Sequence, residues 1–213
     1  MSRDLYVLLL DLDKLKGVQG SGDRRLLKRI LREKEAELLG YDECFRKDPA
    51  LAPYAPLATA IEQIIIGPLQ RQRTLHFQFE AAAAMIADIL GKPLASEPLM
   101  EARERFWVEV DTVIRKKRTT AGLPKSGWPM LAEILKRGPL LKVPLDRRMR
   151  LGTGYLTAEE VRNAFAATGR SNLEDTQGLD KLTWPDLAME AVRQYQNWLR
   201  QAAAKKLGLF FHC

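Results

Sequence analysis

Two short apolar runs bracket a long body with helical periodicity. Leu5-Tyr6-Val7-Leu8-Leu9-Leu10 carries no charge and lies between Asp4 and Asp11. Its length and its valine and tyrosine content predict a strand covered on both faces. Leu209-Phe210-Phe211, just after Gly208, is its counterpart near the far end. A lone strand cannot satisfy its backbone groups, so the two runs are expected to pair in one small sheet. Residues 140–156 are the candidate source of a third strand. The predicted class is α+β, a mostly helical single domain over residues 1–213 with a small sheet formed by its N- and C-terminal strands.

The body reads as a series of helices separated by glycine and proline. Asp11 to Val18 is at best a short helical turn. Gly20-Ser21-Gly22-Asp23 follows as a tight turn whose aspartate can cap the next helix. That helix is predicted over 24–39, with Leu26, Leu27, Ile30, Leu31, Leu38 and Leu39 at helical spacing and Gly40 as its stop. Pro49, Pro53 and Pro56 then mark a loop. A helix over 57–66 ends at Gly67-Pro68. Another runs from Thr74 to about Leu90, with Phe77, Ala81, Ala84, Met85 and Leu90 inward and Gly91 closing it. Residues 99–118 carry Phe106, Trp107, Val110, Val113 and Ile114, and a short helix over Trp128–Arg137 stops at Gly138-Pro139. Thr157 and Glu160 form a capping box, and Thr183 with Asp186 repeats it with Pro185 in the first turn. The long helix after it places Trp184, Leu187, Ala188, Ala191, Tyr195, Trp198, Leu199 and Ala202 on one stripe.

Charge changes this picture more than composition does. The chain has 213 residues, 46% hydrophobic and 29% charged, which fits an ordinary globular protein with no disordered tract. Its 34 basic and 27 acidic residues give +7, and the excess is uneven. Residues 24–39 hold Arg24, Arg25, Lys28, Arg29, Arg32 and Lys34 against three glutamates. Arg115-Lys116-Lys117-Arg118 is a bare basic run, and residues 136–150 add Lys136, Arg137, Lys142, Arg147, Arg148 and Arg150 against Asp146. Converging on one face, these patches would attract phosphate backbones. No aromatic residues interleave with them as a stacking platform for single strands requires. No stretch is long and apolar enough to span a membrane, and Cys44 and Cys213 are isolated, so a reducing cytoplasmic location is expected.

Candidate chemistry is sparse. The histidines are His76 and His212, which with two isolated cysteines do not compose a zinc site, and no cofactor is expected. Gly17-Val18-Gln19-Gly20-Ser21-Gly22 and Gly152-Thr153-Gly154 lack nucleotide-loop spacing and are read as turns. Asp11 and Asp13 leave the first strand two residues apart, where side chains share a face if the strand continues. Cap and turn duties account for them equally well.

The opening strand with Asp11-Leu12-Asp13-Lys14-Leu15, the Gly20-Ser21-Gly22-Asp23 turn and the basic-apolar helix after it resemble a group of uncharacterised bacterial domain-of-unknown-function proteins. The helical stretch 75–91 and Gly154-Tyr155-Leu156-Thr157-Ala158-Glu159-Glu160-Val161 share in that resemblance. The C-terminal third, a long helix with an alanine patch and a final apolar strand, is similar to the ending of the YfbM-like family. The resemblance implies a bacterial cytoplasmic α+β protein and, because comparably built domains occur beside toxins, an immunity or interaction role by association. It carries over no catalytic residue.

Three functions remain open on this reading. The first is non-catalytic protein binding, immunity-like in its narrower form. The second is binding of nucleic acid or another polyanion through Arg115, Lys116, Lys117, Arg118, Arg147, Arg148 and Arg150. The third is a small-molecule enzyme using Asp11, Asp13, His76 or Tyr155. The oligomeric state is not written in the sequence.

Overall fold

The structure, a computed structural model, describes residues 5–48, 56–69, 76–94, 104–120, 122, 127–144, 152–168 and 184–212. Among them the order is β1 (Tyr6–Leu10), α1 (Leu12–Val18), α2 (Arg24–Glu33), α3 (Glu35–Lys47), α4 (Leu57–Ile66) and α5 (His76–Leu90). Then follow β2 (Lys92–Pro93), α6 (Glu104–Thr120), α7 (Leu131–Leu135), β3 (Thr153–Leu156), α8 (Ala158–Thr168), α9 (Trp184–Lys205) and β4 (Gly208–His212). The protein is mostly helical, around a four-stranded antiparallel sheet of order β2-β1-β4-β3.

The two ends do pair. Tyr6 faces His212 and Leu10 faces Gly208 in an antiparallel ladder, so β1 and β4 are the two inner strands. β3 adds to the outer side of β4 from within the expected 140–156 segment. Strand alternation then divides the interior. Leu5, Val7, Leu9, Leu209, Phe211 and Leu156 point into one core, packed by α6, α7, α8 and α9. Leu8, Leu10 and Phe210 point into the other, packed by α1 to α5. The molecule is thus three layers, helices on both faces of the sheet, which is why β1 and β4 can be apolar on consecutive residues.

Local signals placed several boundaries. Asp23 caps α2, its carboxylate accepting from the amides of Arg25 and Leu26 at 2.9 Å each. Asp11 caps α1, a seven-residue helix with Leu12, Leu15 and Val18 buried, so more than the single turn expected. The Thr157 and Glu160 capping box forms in both directions. On α9, Ala188, Ala191, Tyr195, Trp198, Leu199 and Ala202 are all buried as the stripe predicts. Thr183 and residues 99–103 lie outside the described residues, as do the side chains of Phe77, Phe106, Trp107, Trp184 and Leu187.

The single helix expected over 24–39 is two. Lys34 closes α2 and opens α3 with φ −107° and ψ 15°, and α3 passes through Gly40 without stopping. The kink lets Ile30 and Leu38 both reach the core while Leu39 turns to solvent. The short helix after Trp128 is confined to 131–135. β2 had no counterpart among the expectations. Gly154 is a strand glycine, not a turn glycine: a Cβ there would run into the Ile134 backbone, so β3 and α7 meet backbone to backbone. Gly152, with φ 75°, is the turn residue of that segment.

Two buried groups on the α6–α9 side yield quantitative expectations. Tyr195 is fully buried, packs edge-on against Phe211 and donates its hydroxyl to the carbonyl of Pro129 at 3.0 Å. Tyr195→Ala is expected to destabilise by about 3–5 kcal/mol in denaturant melts. A loss under about 1 kcal/mol would mean α9 does not present this face to the core.

Asp111 on α6 accepts from the amides of Leu131 at 2.9 Å and Ala132 at 3.2 Å, capping α7 from another element. Burial pushes its carboxyl up to about 6, although those two amides favour the charged form. A carboxyl raised in the folded state binds more protons folded than unfolded, so its contribution to stability falls as pH rises from the ordinary aspartate range through about 6. The stability of the wild type relative to Asp111→Asn should therefore shrink over that window, read from urea midpoints. A difference independent of pH would show that Asp111 is not held in this environment.

Candidate functional site

The densest group of polar side chains collects where α5 crosses the sheet. α5 is almost entirely apolar, with Phe79 and Ala81 to Ala87 buried, yet it carries Glu80 and Asp88. Both carboxylates turn toward the same row of the sheet, in which Tyr6, His212 and Thr153 stand side by side on β1, β4 and β3. Glu80, fully buried, accepts the hydroxyl of Thr153 at 2.5 Å. Asp88 Oδ1 lies 3.1 Å from His212 Nε2, and Asp88 Oδ2 accepts from Lys34 Nζ at 3.1 Å. Lys34 also donates to Glu37 at 2.7 Å.

This cluster explains the kink between α2 and α3. The side chain of Lys34 is only 14% exposed because it reaches inward across the helix junction to Asp88. Burial alone would weaken its charge, but hydrogen bonds to Glu37 and Asp88 and the field of both carboxylates hold its affinity for a proton above the ordinary lysine value. Burial works against the Asp88 carboxylate in the same way. The hydrogen bond and charge of His212, joined by Lys34, overcome it and keep Asp88 below the usual aspartate range.

The cluster opens to solvent through a cleft of about 70 Å³ lined by Glu37, Tyr41, Ala84, Asp88, Thr153 and His212. Two exposed aromatics flank it. Tyr6 stacks on the His212 ring with centroids 5.0 Å apart and planes 11° from parallel, and it is 46% exposed. Tyr41 on α3 is 38% exposed. Among the described residues no group of three or more His, Cys, Asp and Glu side chains could hold a metal ion.

The residues singled out from sequence are dispersed. Asp11 is a helix cap, and Asp13 is exposed and paired with Lys16, so the two form no acid–base pair. Tyr155 is half-buried in β3 beneath the Arg137 guanidinium, 5.9 Å from its ring. The side chain of His76 lies outside the described residues, as do Arg147, Arg148 and Arg150. Arg115 and Lys116 are exposed and Lys117 and Arg118 half-buried, on α6 in the layer opposite α2. Lys142, by contrast, is tied to the loop that opens α2. Its amide donates to the Gln19 side chain at 2.8 Å, and its carbonyl accepts from the same side chain at 2.9 Å. The structure brings Lys142 and the α2 cations to one layer and sets 115–118 in the other.

Sequence reasoning passed over Asp88, Lys34 and the pairing of His212. A usable signal was present: two carboxylates within a run of alanine, methionine and isoleucine have to find partners inside the fold.

Among the described residues, no helix is long and apolar enough to cross a membrane. No curated protein and no solved structure matches the chain. A family model does, over residues 1–213, and its description is a domain of unknown function. The chain belongs to that family, DUF7691.

Proposed function

We propose that this is a non-catalytic protein-binding domain, cytoplasmic and acting as one unit over residues 1–213, that docks a partner over the Tyr6–His212–Tyr41 face. One observation carries the reading: two exposed tyrosines flank a charged cluster whose members satisfy one another. Tyrosine presents a large rigid surface with a polar tip, and it is enriched where interface energy concentrates. Both Asp88 oxygens are already engaged by His212 and Lys34, an arrangement that fixes the shape of the face. A cleft of about 70 Å³ is far below the roughly 300 Å³ at which small-molecule sites begin. At this cleft, that favours a surface contact over the binding of an organic substrate. Neutralisation of a bacterial toxin is the narrower form of this reading, suggested by association because comparably built domains occur beside toxins.

The test is photo-crosslinking in the native host, with a photoreactive residue placed at Tyr6 or at Tyr41 of the full chain. A discrete protein adduct is expected at both positions and not at Val108, which is equally open but on α6 in the opposite layer. Tyr6→Ala combined with Tyr41→Ala should then weaken binding of the captured protein by about 2 kcal/mol or more. Absence of an adduct at both tyrosines, or the same adducts at Val108, would sink the reading.

A further inference from the structure

The basic face of α2 is the feature that neither the fold nor the cleft explains. Its apolar side is inward, with Ile30 buried and Leu26, Leu27 and Leu31 half-buried. The other side exposes Arg24, Arg25, Lys28, Arg29 and Arg32. Glu33 is the acidic residue within the helix, and it is engaged by Arg29 at 3.0 Å and Arg32 at 3.5 Å. Arg24, Arg25 and Lys28 make no ion pair among the described residues. Lys142, exposed and anchored to Gln19, stands against the same loop and adds to the field.

This placement runs against local stability. The first turn of α2 holds Arg24 and Arg25 and no acidic residue. Asp23 caps the start, accepting from the Arg25 and Leu26 amides at 2.9 Å each, but cations in the turn that follows remain less favourable there than acidic residues. Like charges at Arg25 and Arg29, and at Lys28 and Arg32, also repel at helical spacing. Among the described residues no carboxylate pairs with Arg24, Arg25 or Lys28, which leaves that part of the face open to an acidic partner.

We propose that the exposed face of α2, with Lys142 beside it, docks an acidic segment of a partner protein. This rests on the protein-binding reading above and supplies the chemistry of the partner. Four of the five cations on the helix are arginines, whose planar donors grip carboxylates two bonds at a time. The helix is about 15 Å long, a span that matches a few consecutive carboxylates. A nucleic acid fits less well. The run Arg115 to Arg118 is in the opposite layer, so among the described residues it does not extend the patch as a continuous basic track. No aromatic residue on α2 is available to stack a base. Lys34 joins α2 directly to the tyrosine-flanked cleft, so one partner can cover both.

The experiment uses the full chain and two labelled probes, an oligoglutamate peptide and a DNA duplex of matched charge, followed by anisotropy at physiological salt. The variant reverses Arg24, Arg25 and Lys28 to glutamate. Acidic residues favour a helix start, so it should melt no lower than the wild type. Reversing Arg115, Lys116 and Lys117 gives a control with the same change in net charge. Peptide affinity is expected to drop at least about tenfold in the α2 variant and to stay within about twofold in the control. Equal losses in both variants would reduce the effect to net charge and overturn the proposal, as would failure of the wild type to bind the peptide. Tighter binding of the duplex, lost in the α2 variant, would replace the acidic protein with a nucleic acid. The crosslinks at Tyr6 and Tyr41 separate the two levels: adducts that survive the α2 reversal at full yield overturn this inference alone, and loss of those adducts in the wild type overturns the reading beneath it.

Discussion

The pairing of β1 with β4 holds the molecule together. The strands are nearly the full chain apart in sequence and form the two inner positions of the sheet, in register from Tyr6 with His212 to Leu10 with Gly208. Closing a loop of that length costs only slightly more than closing one half as long, because the entropic penalty grows with the logarithm of length. What the closure gains is large: apart from the Tyr6–His212 end, both faces of both strands become interior. Each helical layer has a wall to pack on only after the ends meet, so neither layer can complete its core without the last strand.

That dependence explains which parts of the fold could be read from the residues. Leu5–Leu10 and Leu209–Phe211 are apolar on consecutive positions, and a segment buried on both faces shows that pattern however distant its partner. Asp23, Thr157 and Glu160 signal through hydrogen bonds to amides within three residues, so no tertiary knowledge is needed. The break at Lys34 is different. Residues 24–39 keep helical periodicity across it, and what bends the chain is Asp88, 54 positions away. β2 escapes for a related reason: a strand of two residues, Lys92 and Pro93, exists only because β1 offers an edge to it. Gly154 looks like turn chemistry beside Gly152, and its real constraint is the backbone of Ile134.

Three carboxylates, Glu80 and Asp111 buried and Asp88 half-buried, tie elements together, each satisfied in its own way. Glu80 holds α5 to β3 through the Thr153 hydroxyl. Asp88 holds α5 to β4 through His212 and to the α2–α3 junction through Lys34. Asp111 holds α6 to α7 through two backbone amides. Where the partner is cationic, the carboxylate stays below its usual range; where the partners are neutral amides, burial prevails and the carboxyl rises. The same residue type thus marks a charged junction open to a cleft in one layer and a dry cap in the other. Asp11 and Asp13, at the exit of β1, serve as a helix cap and a surface ion pair, whereas the side chains that organise the site are those that an apolar helix had to find partners for.

The net charge of +7 takes on a different meaning once its placement is known. Spread evenly, it would do little beyond favouring solubility and weak attraction to any polyanion. Among the described residues it is divided between layers instead, with Arg115 to Arg118 in one and the α2 cations and Lys142 in the other, so these two groups do not form one surface. The α6 run sits far from the aromatic-flanked cleft, with Arg115 close enough to Asp111 to favour its charged form slightly. The α2 run continues through Lys34 into that cleft, where the cation is consumed by Asp88 and Glu37. Charge therefore passes from unsatisfied on the helix to fully satisfied at its end. On the proposed docking reading, a gradient of that kind would orient an anionic partner along α2 before the tyrosines engage, because long-range fields act during encounter and short-range packing after it.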